Sequence, residues 1–286
     1  MKLIRFGNPG EEKPGLIDAG GTARDLSAIV PDIAGATLSD EGLSKIRTVD
    51  PASLPEVPVD ARLGPCVGGT GKFICIGLNY SDHAAEAGMQ VPEEPIIFHK
   101  ATSAICGPND PIIIPRGSEK TDWEVELAVI IGRRAKYVTE EEALDYVAGY
   151  AVTNDVSERA FQIERSGQWT KGKSCDNFGQ IGPWLVTRDE VADPQDLPMW
   201  LKLNGETMQK GSTRTMVFGV ARLVSHLSQF MSLHPGDVIS TGTPPGVGMG
   251  MKPPRYLRPG EVVELGIEGL GAQHQEVIAD PEGGET

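Results

Sequence analysis

The sequence predicts a mixed, mostly β (α+β) fold with a few covering helices, and three observations carry that expectation. Short apolar runs at strand spacing dominate the chain, and its 35 glycines and 22 prolines fall between those runs rather than in tracts. Helical periodicity is confined to a few segments. The strands and helices do not alternate as regular βαβ units, which argues against a doubly wound parallel sheet.

Taken in order, residues 1–50 carry weak strand signals, KLIRFG and PGLIDAGG, and one short apolar stretch, LSAIV. The Pro-rich VDPASLPEVPVDARLGP then reads as a linker, so a small N-terminal β-rich domain over 1–68 and a main domain over 69–286 are expected. Strand signals follow closely: FICIGL at 73–78, the run around 95–106, PIIIP at 111–115, VELAVIIG at 125–132 and YVAGYAVTN near 146–154. WLVT at 184–187, DVIST at 237–241 and EVVELGIEGLG at 261–271 add three more. MWLKL and ETMQK flank Asn204-Gly205, the signature of a type I′ hairpin. Thr139 to Glu142 form a capping box ahead of EEALDYV, which predicts a helix there. Over 220–233, Val220, Leu223, Val224, Leu227, Phe230 and Met231 share one face of an amphipathic helix, with His226 off the stripe and expected in solvent.

A formal net charge of −14 argues against nucleic acid or an anionic membrane surface as a partner. Cys66, Cys75, Cys106 and Cys175 show no CxxC pairing and read as reduced thiols. MKLIRFGNPGEEKPG has no apolar leader core, and no run approaches about 18 apolar residues, so a cytoplasmic protein is expected.

TDWEVELAVIIG at 121–132 holds the most informative feature. Its odd positions alternate as apolar residues, while the other face begins with Glu124 and Glu126 before turning apolar at Ala128 and Ile130. Two carboxylates on one strand face, with Cα atoms about 7 Å apart, repel each other unless water or a cation intervenes. They are either a solvated strand end or part of a hard-cation site for Mg²⁺, Mn²⁺ or Ca²⁺. Asp155, closing YVAGYAVTN, is a candidate third ligand. It is expected to open a short helix, VSERAFQIE, with Arg159 and Gln162 at i+4 and i+7 close to the acid. After FICIGL, a short helix would place His83 and Glu86 at i and i+3, where a carboxylate can orient an imidazole acting as a general base on water. Lys173 lies among small and turn residues, and Lys100 lies inside an apolar run, with an open sheet face as its default setting. DVISTGTPPGVGMGM matches no nucleotide-phosphate loop, but its backbone N–H groups and the Thr241 or Thr243 hydroxyl could contact a carboxylate.

Together these residues resemble the fumarylacetoacetate hydrolase family. The shared features are NYxDHxxE at 79–86, E-x-E at 124–126, D-x-x-x-R-x-x-Q at 155–162, K-S at 173–174 and TGTPxGVG at 241–248, in that order over about residues 70–280. The resemblance implies a homodimer whose catalytic domain is a rolled mixed β-sheet, with a bound Mg²⁺ or Mn²⁺. It would make Glu124, Glu126 and Asp155 metal ligands and His83 with Glu86 the water-activating pair. Lys173, Arg159, Gln162, Thr243, Lys100 and Tyr80 would serve the substrate's carboxylate, oxo groups and enolate. The implied reaction is C–C hydrolysis of a 2,4-dioxo acid to pyruvate and a second acid. Over its whole length the chain looks like hydrolases of 2,4-diketo-3-deoxy-L-rhamnonate or -fuconate, which release lactate. A lyase, decarboxylase or isomerase on the same metal site, or a ureidoglycolate lyase, is the alternative. A non-catalytic metal- or carbohydrate-binding β protein would leave the Asp155-Arg159-Gln162 set and the His–Glu pair unexplained.

Overall fold

The computed structural model describes residues 1–82 and 90–281. One ten-stranded sheet runs, across its width, Ala23–Asp25, Lys13–Ile17, Lys2–Phe6, Gly179–Thr187, Val147–Asp155, Val125–Ile131, Val238–Ser240, Phe73–Gly77 and Ile96–Lys100. Ile105–Cys106 is its tenth strand and pairs in parallel with Gly179–Thr187. A second sheet of five strands runs Glu206–Ser212, Pro198–Leu203, Val262–Ile267, Gly271–Ala279 and Ile112–Ile114. Each sheet contains antiparallel and parallel neighbours, so the fold is the mixed, mostly β class expected. The first three strands join the large sheet through Lys2 and Leu3, which pair with Val186 and Leu185. The Pro-rich segment touches these strands at Leu63–Phe6 and Glu56–Arg24.

Val125–Ile131 shows why both faces of a strand can be apolar. Val125, Leu127, Val129 and Ile131 enter a core shared with the five-stranded sheet and the helix Val220–Phe230. Ala128 and Ile130 face the opposite core, which includes Leu26, Ile33, Leu43 and Ile46 from the first fifty residues. The strand is therefore sandwiched, and each large side chain it buries contributes about 1.5–3 kcal/mol. Asn204 (φ 50°) and Gly205 (φ 81°) both adopt the left-handed backbone that the expected I′ hairpin requires.

Four local expectations need correction. EVVELGIEGLG is one strand and a turn: Val262–Ile267 ends, the chain reverses at Glu268–Leu270, and Gly271 opens the next strand, Gly271–Ala279; Gly269 (φ 79°) and Gly271 (φ 97°) permit the turn. VSERAFQIE is no single helix. Ser157–Glu158 pairs with Thr121–Asp122, and a π-helical turn follows over Ala160–Glu164. The buried Glu158 carboxylate holds this bend by accepting from Thr121 Oγ1 (3.0 Å), Lys120 N (3.1 Å) and Ala160 N (3.1 Å). Thr139 and Glu142 do contact each other reciprocally at 3.4 Å, but only one 3₁₀ turn, Ala143–Tyr146, fits before the strand begins at Val147. In the helix Val220–Phe230, His226 is buried and Phe230 is 63% exposed, the reverse of the expected placement. The His226 ring packs edge-on against Phe230 at 4.9 Å, so the terminal aromatic covers the imidazole. No helix among the described residues is long and apolar enough to cross a membrane.

Candidate active site

The two glutamates and the aspartate meet because their strands are neighbours. Asp155 N donates to Glu124 O (2.9 Å), and Thr153 lies across from Glu126 in the register of Val147–Asp155 with Val125–Ile131. Glu124, Glu126 and Asp155 are all buried, and each offers one oxygen within 4.8 Å of the other two. Glu126 is fixed by the Ser240 hydroxyl and by Gly242 N (2.8 Å). The loop beginning at Thr241 thus does place a backbone N–H on a carboxylate, and that carboxylate belongs to the protein. Gly242 is required there, since a Cβ would meet the Asn79 Cβ at 2.9 Å and φ is 95°.

Three buried cations answer the acids. Lys173, at the end of a four-residue helix Thr170–Lys173, donates to Glu124 Oε2 (2.7 Å) and Asp155 Oδ2 (2.8 Å). Arg159 Nη2 donates to Glu124 Oε1 (2.6 Å), its Nε to Asp122 Oδ2 (2.8 Å) and its Nη1 to Gln162 Oε1 (3.1 Å). Lys100 Nζ bonds Asp155 Oδ1 and donates to Val156 O (2.9 Å). Burial alone would push the Glu124 carboxyl up, but Lys173 and Arg159 pull it well below the ordinary range. Glu126 goes the other way: burial first, then Asp155 and Glu124, push its carboxyl well above the ordinary value. Burial lowers the Lys173 ammonium, yet Asp155 and Glu124 outweigh it and hold the group protonated.

Counting Asp122, four buried carboxyl groups share the three cations Lys100, Arg159 and Lys173, and Glu126 is the one with no ion pair to them among the described residues. Three convergent oxygen donors in surroundings short of positive charge fit a hard divalent cation.

These groups floor a cavity of about 280 Å³. Arg159, Gln162, Lys173 and Thr243 line it beside the three acids, and Ile76, Leu78, Phe98, Ile163, Trp169 and Met249 form its apolar walls. Thr243 Oγ1 donates to Val125 O (2.9 Å) and accepts from Gln209 (2.8 Å), while Thr241 Oγ1 donates to Leu127 O (2.9 Å). Lys100 and Tyr80 do not line the cavity. Lys100 stands fully buried behind Asp155, so it is neither on an open sheet face nor placed to touch a substrate. Tyr80 is fully buried with its hydroxyl on Met199 Sδ (3.3 Å). His83 and Glu86 lie outside the described residues.

The sequence reading missed Asp122. Its Oδ1 accepts from Gly248 N (2.7 Å) and its Oδ2 from Met249 N (3.0 Å) and Arg159 Nε (2.8 Å), so one carboxylate fixes both the glycine loop and the guanidinium. The signal was present: Asp122 shares the even parity of Glu124 and Glu126 in TDWEVE.

Residues 72–278 match the model of the fumarylacetoacetate hydrolase C-terminal domain. The chain belongs to the fumarylacetoacetate hydrolase family. A protein of Burkholderia multivorans with a provisional hydrolase name is 66% identical over 276 residues, 96% of this chain and 98% of that one. Among solved family structures, fumarylacetoacetate hydrolase from Exiguobacterium antarcticum superposes with a TM-score of 0.87 at 38% identity, covering 98% of this chain and 100% of that one. A 2-hydroxyhepta-2,4-diene-1,7-dioate isomerase from Mycobacterium marinum gives 0.78 at 33% identity over 99% of this chain and 100% of its own. Maleylpyruvate hydrolase from Sphingobium sp. SYK-6, solved with manganese(II) and pyruvate, gives 0.81 at 29% identity, covering 98% of this chain and 99% of that one. The family thus holds both hydrolases and isomerases.

Proposed function

We propose that this protein is a divalent-metal-dependent hydrolase that cleaves the C3–C4 bond of a 2,4-dioxo acid, releasing pyruvate and a second carboxylic acid. The observation that carries the proposal is the convergence of Glu124, Glu126 and Asp155 with Lys173 at the floor of a cavity sized for a small acid. The family relative that holds manganese and pyruvate supports it.

In this reading Glu124, Glu126 and Asp155 would hold Mg²⁺ or Mn²⁺. Once bound, the ion supplies a fixed positive charge for the oxygens of a 2-oxo acid and for the negative charge that develops on them. Arg159 and Gln162, already locked to each other, present donors to the substrate carboxylate beside Thr243. His83, oriented by Glu86, removes a proton from water, and the resulting hydroxide adds to C4. The C3–C4 bond then breaks, its electron pair passes to the pyruvate half, and C3 takes up a proton. Lys173, held protonated by its two carboxylates, stands where that negative charge appears.

The narrower reading, a 2,4-diketo-3-deoxy-sugar acid, needs donors and acceptors for several hydroxyls, and the walls of the described cavity offer few. Isomerisation, lyase chemistry or decarboxylation on the same floor is the second reading, which the isomerase in the family supports. The test is pyruvate release from a panel of 2,4-dioxo acids, run in EDTA and then with Mg²⁺ or Mn²⁺ restored. Metal-dependent release with uptake of one water supports hydrolysis; turnover without water uptake favours the second reading, and no turnover on any member rejects both. A homodimer is proposed with it, so light scattering should give twice the chain mass of 30.6 kDa.

A further inference from the structure

Resting on the 2-oxo acid reading above, we infer that the half of the substrate remote from the metal floor is uncharged and apolar. A second carboxylate or a polyhydroxylated chain does not suit that end of the cavity.

Phe98 and Trp169 build the wall nearest the floor. Their rings meet edge to face, with centroids 5.3 Å apart and planes at 70°. Trp169 is seated on the backbone at Gly77, where an added Cβ would come within 2.8 Å of the indole. Any side chain at position 77 would displace the ring. Lys173 Nζ stands 5.1 Å from the Phe98 ring centroid, so the aromatic wall begins where the polar floor ends. Ile163 and Met249 continue the wall outwards and are 49% and 39% exposed, which puts them at the mouth.

Charge makes the same division. Among the described residues that line the cavity, the only cations are Lys173 and Arg159. Both belong to the floor, Lys173 bonded to Glu124 and Asp155, and Arg159 to Asp122, Glu124 and Gln162. A carboxylate at the acyl end would give up its water against Phe98, Trp169, Ile163 and Met249, and none of the described lining residues at that end carries a positive charge. An alkyl or aryl group of the same size would lose nothing and would gain about 10- to 200-fold per well-buried methylene.

The test is calorimetric binding to the full-length, Mn²⁺-loaded protein of three probes: pyruvate, 5-methyl-2-oxohexanoate and 2-oxoglutarate. The last two have the same shape, with an isopropyl group in place of the distal carboxylate. The inference expects 5-methyl-2-oxohexanoate to bind at least about 10-fold more tightly than 2-oxoglutarate. Ile163→Arg, an exposed position that leaves the core untouched, should narrow or reverse that ratio. Equal or tighter binding of 2-oxoglutarate by the unmodified protein overturns the inference. So does binding of pyruvate with neither longer acid, which leaves the 2-oxo acid reading standing. If pyruvate and both longer acids all fail to bind, that reading falls and this inference falls with it.

Discussion

Replacing Lys173 by Met separates two roles of one ammonium. The Nζ is 2.7 Å from Glu124 Oε2 and 2.8 Å from Asp155 Oδ2, and the side chain is 3% exposed. Met keeps most of the volume and removes the charge, so four buried carboxylates would face two cations instead of three. Breaking a buried ion pair by deleting one partner costs about 3–5 kcal/mol. Arg159 still serves Glu124 and Lys100 still serves Asp155, which places the expected loss near the lower end, about 3 kcal/mol. The same ammonium repels any cation set among those acids. At about 4 Å and an effective dielectric of 20 the repulsion is about 4 kcal/mol per unit charge, and even half of that weakens metal binding by more than tenfold. The variant should therefore unfold at lower urea in EDTA, bind Mn²⁺ at least about tenfold more tightly by titration calorimetry, and release no pyruvate. Unchanged stability in EDTA together with unchanged or weaker Mn²⁺ affinity would refute the argument, because the ammonium could not then be held between the two carboxylates.

Three further outcomes are expected. Gly248→Ala puts a Cβ 1.9 Å from Arg255 O and 2.8 Å from Asp122 Oδ1, so the loop must move off Asp122; pyruvate release should fall at least about tenfold, since an ångström of misplacement costs about 100-fold. Leu227→Ala empties a fully buried site under the helix Val220–Phe230 and should cost about 2–5 kcal/mol in urea unfolding, with Mn²⁺ affinity unchanged. His83→Ala should abolish turnover and leave Mn²⁺ binding intact in a titration; retained turnover would remove His83 from the proposed chemistry.

Much of the fold was legible because period-two runs such as VELAVIIG and YVAGYAVTN need no tertiary knowledge to read as strands. The acidic pair stood out for the same reason, since a carboxylate repeated on one strand face breaks an otherwise apolar pattern. What stayed hidden depended on long-range partners. Lys100 looked like a surface lysine until Asp155 and Val156 O, 55 and 56 residues away, enclosed it. VSERAFQIE has helical spacing, but Glu158 spends its carboxylate on Thr121 and on the backbone at Lys120 and Ala160, which converts the segment into a bridge and a single turn. The aromatic wall was invisible because Phe98 and Trp169 are 71 residues apart and meet in space beside the glycine at position 77. Asp122 was readable by parity alone, and the reading stopped one alternation short.

The most direct measurement is a crystal of the protein grown with Mn²⁺ and pyruvate and examined for anomalous scattering from manganese. One peak coordinated jointly by Glu124, Glu126 and Asp155, with pyruvate oxygens completing its shell, is the predicted result. Manganese bound elsewhere, or a manganese shell that omits any of the three carboxylates, would contradict it.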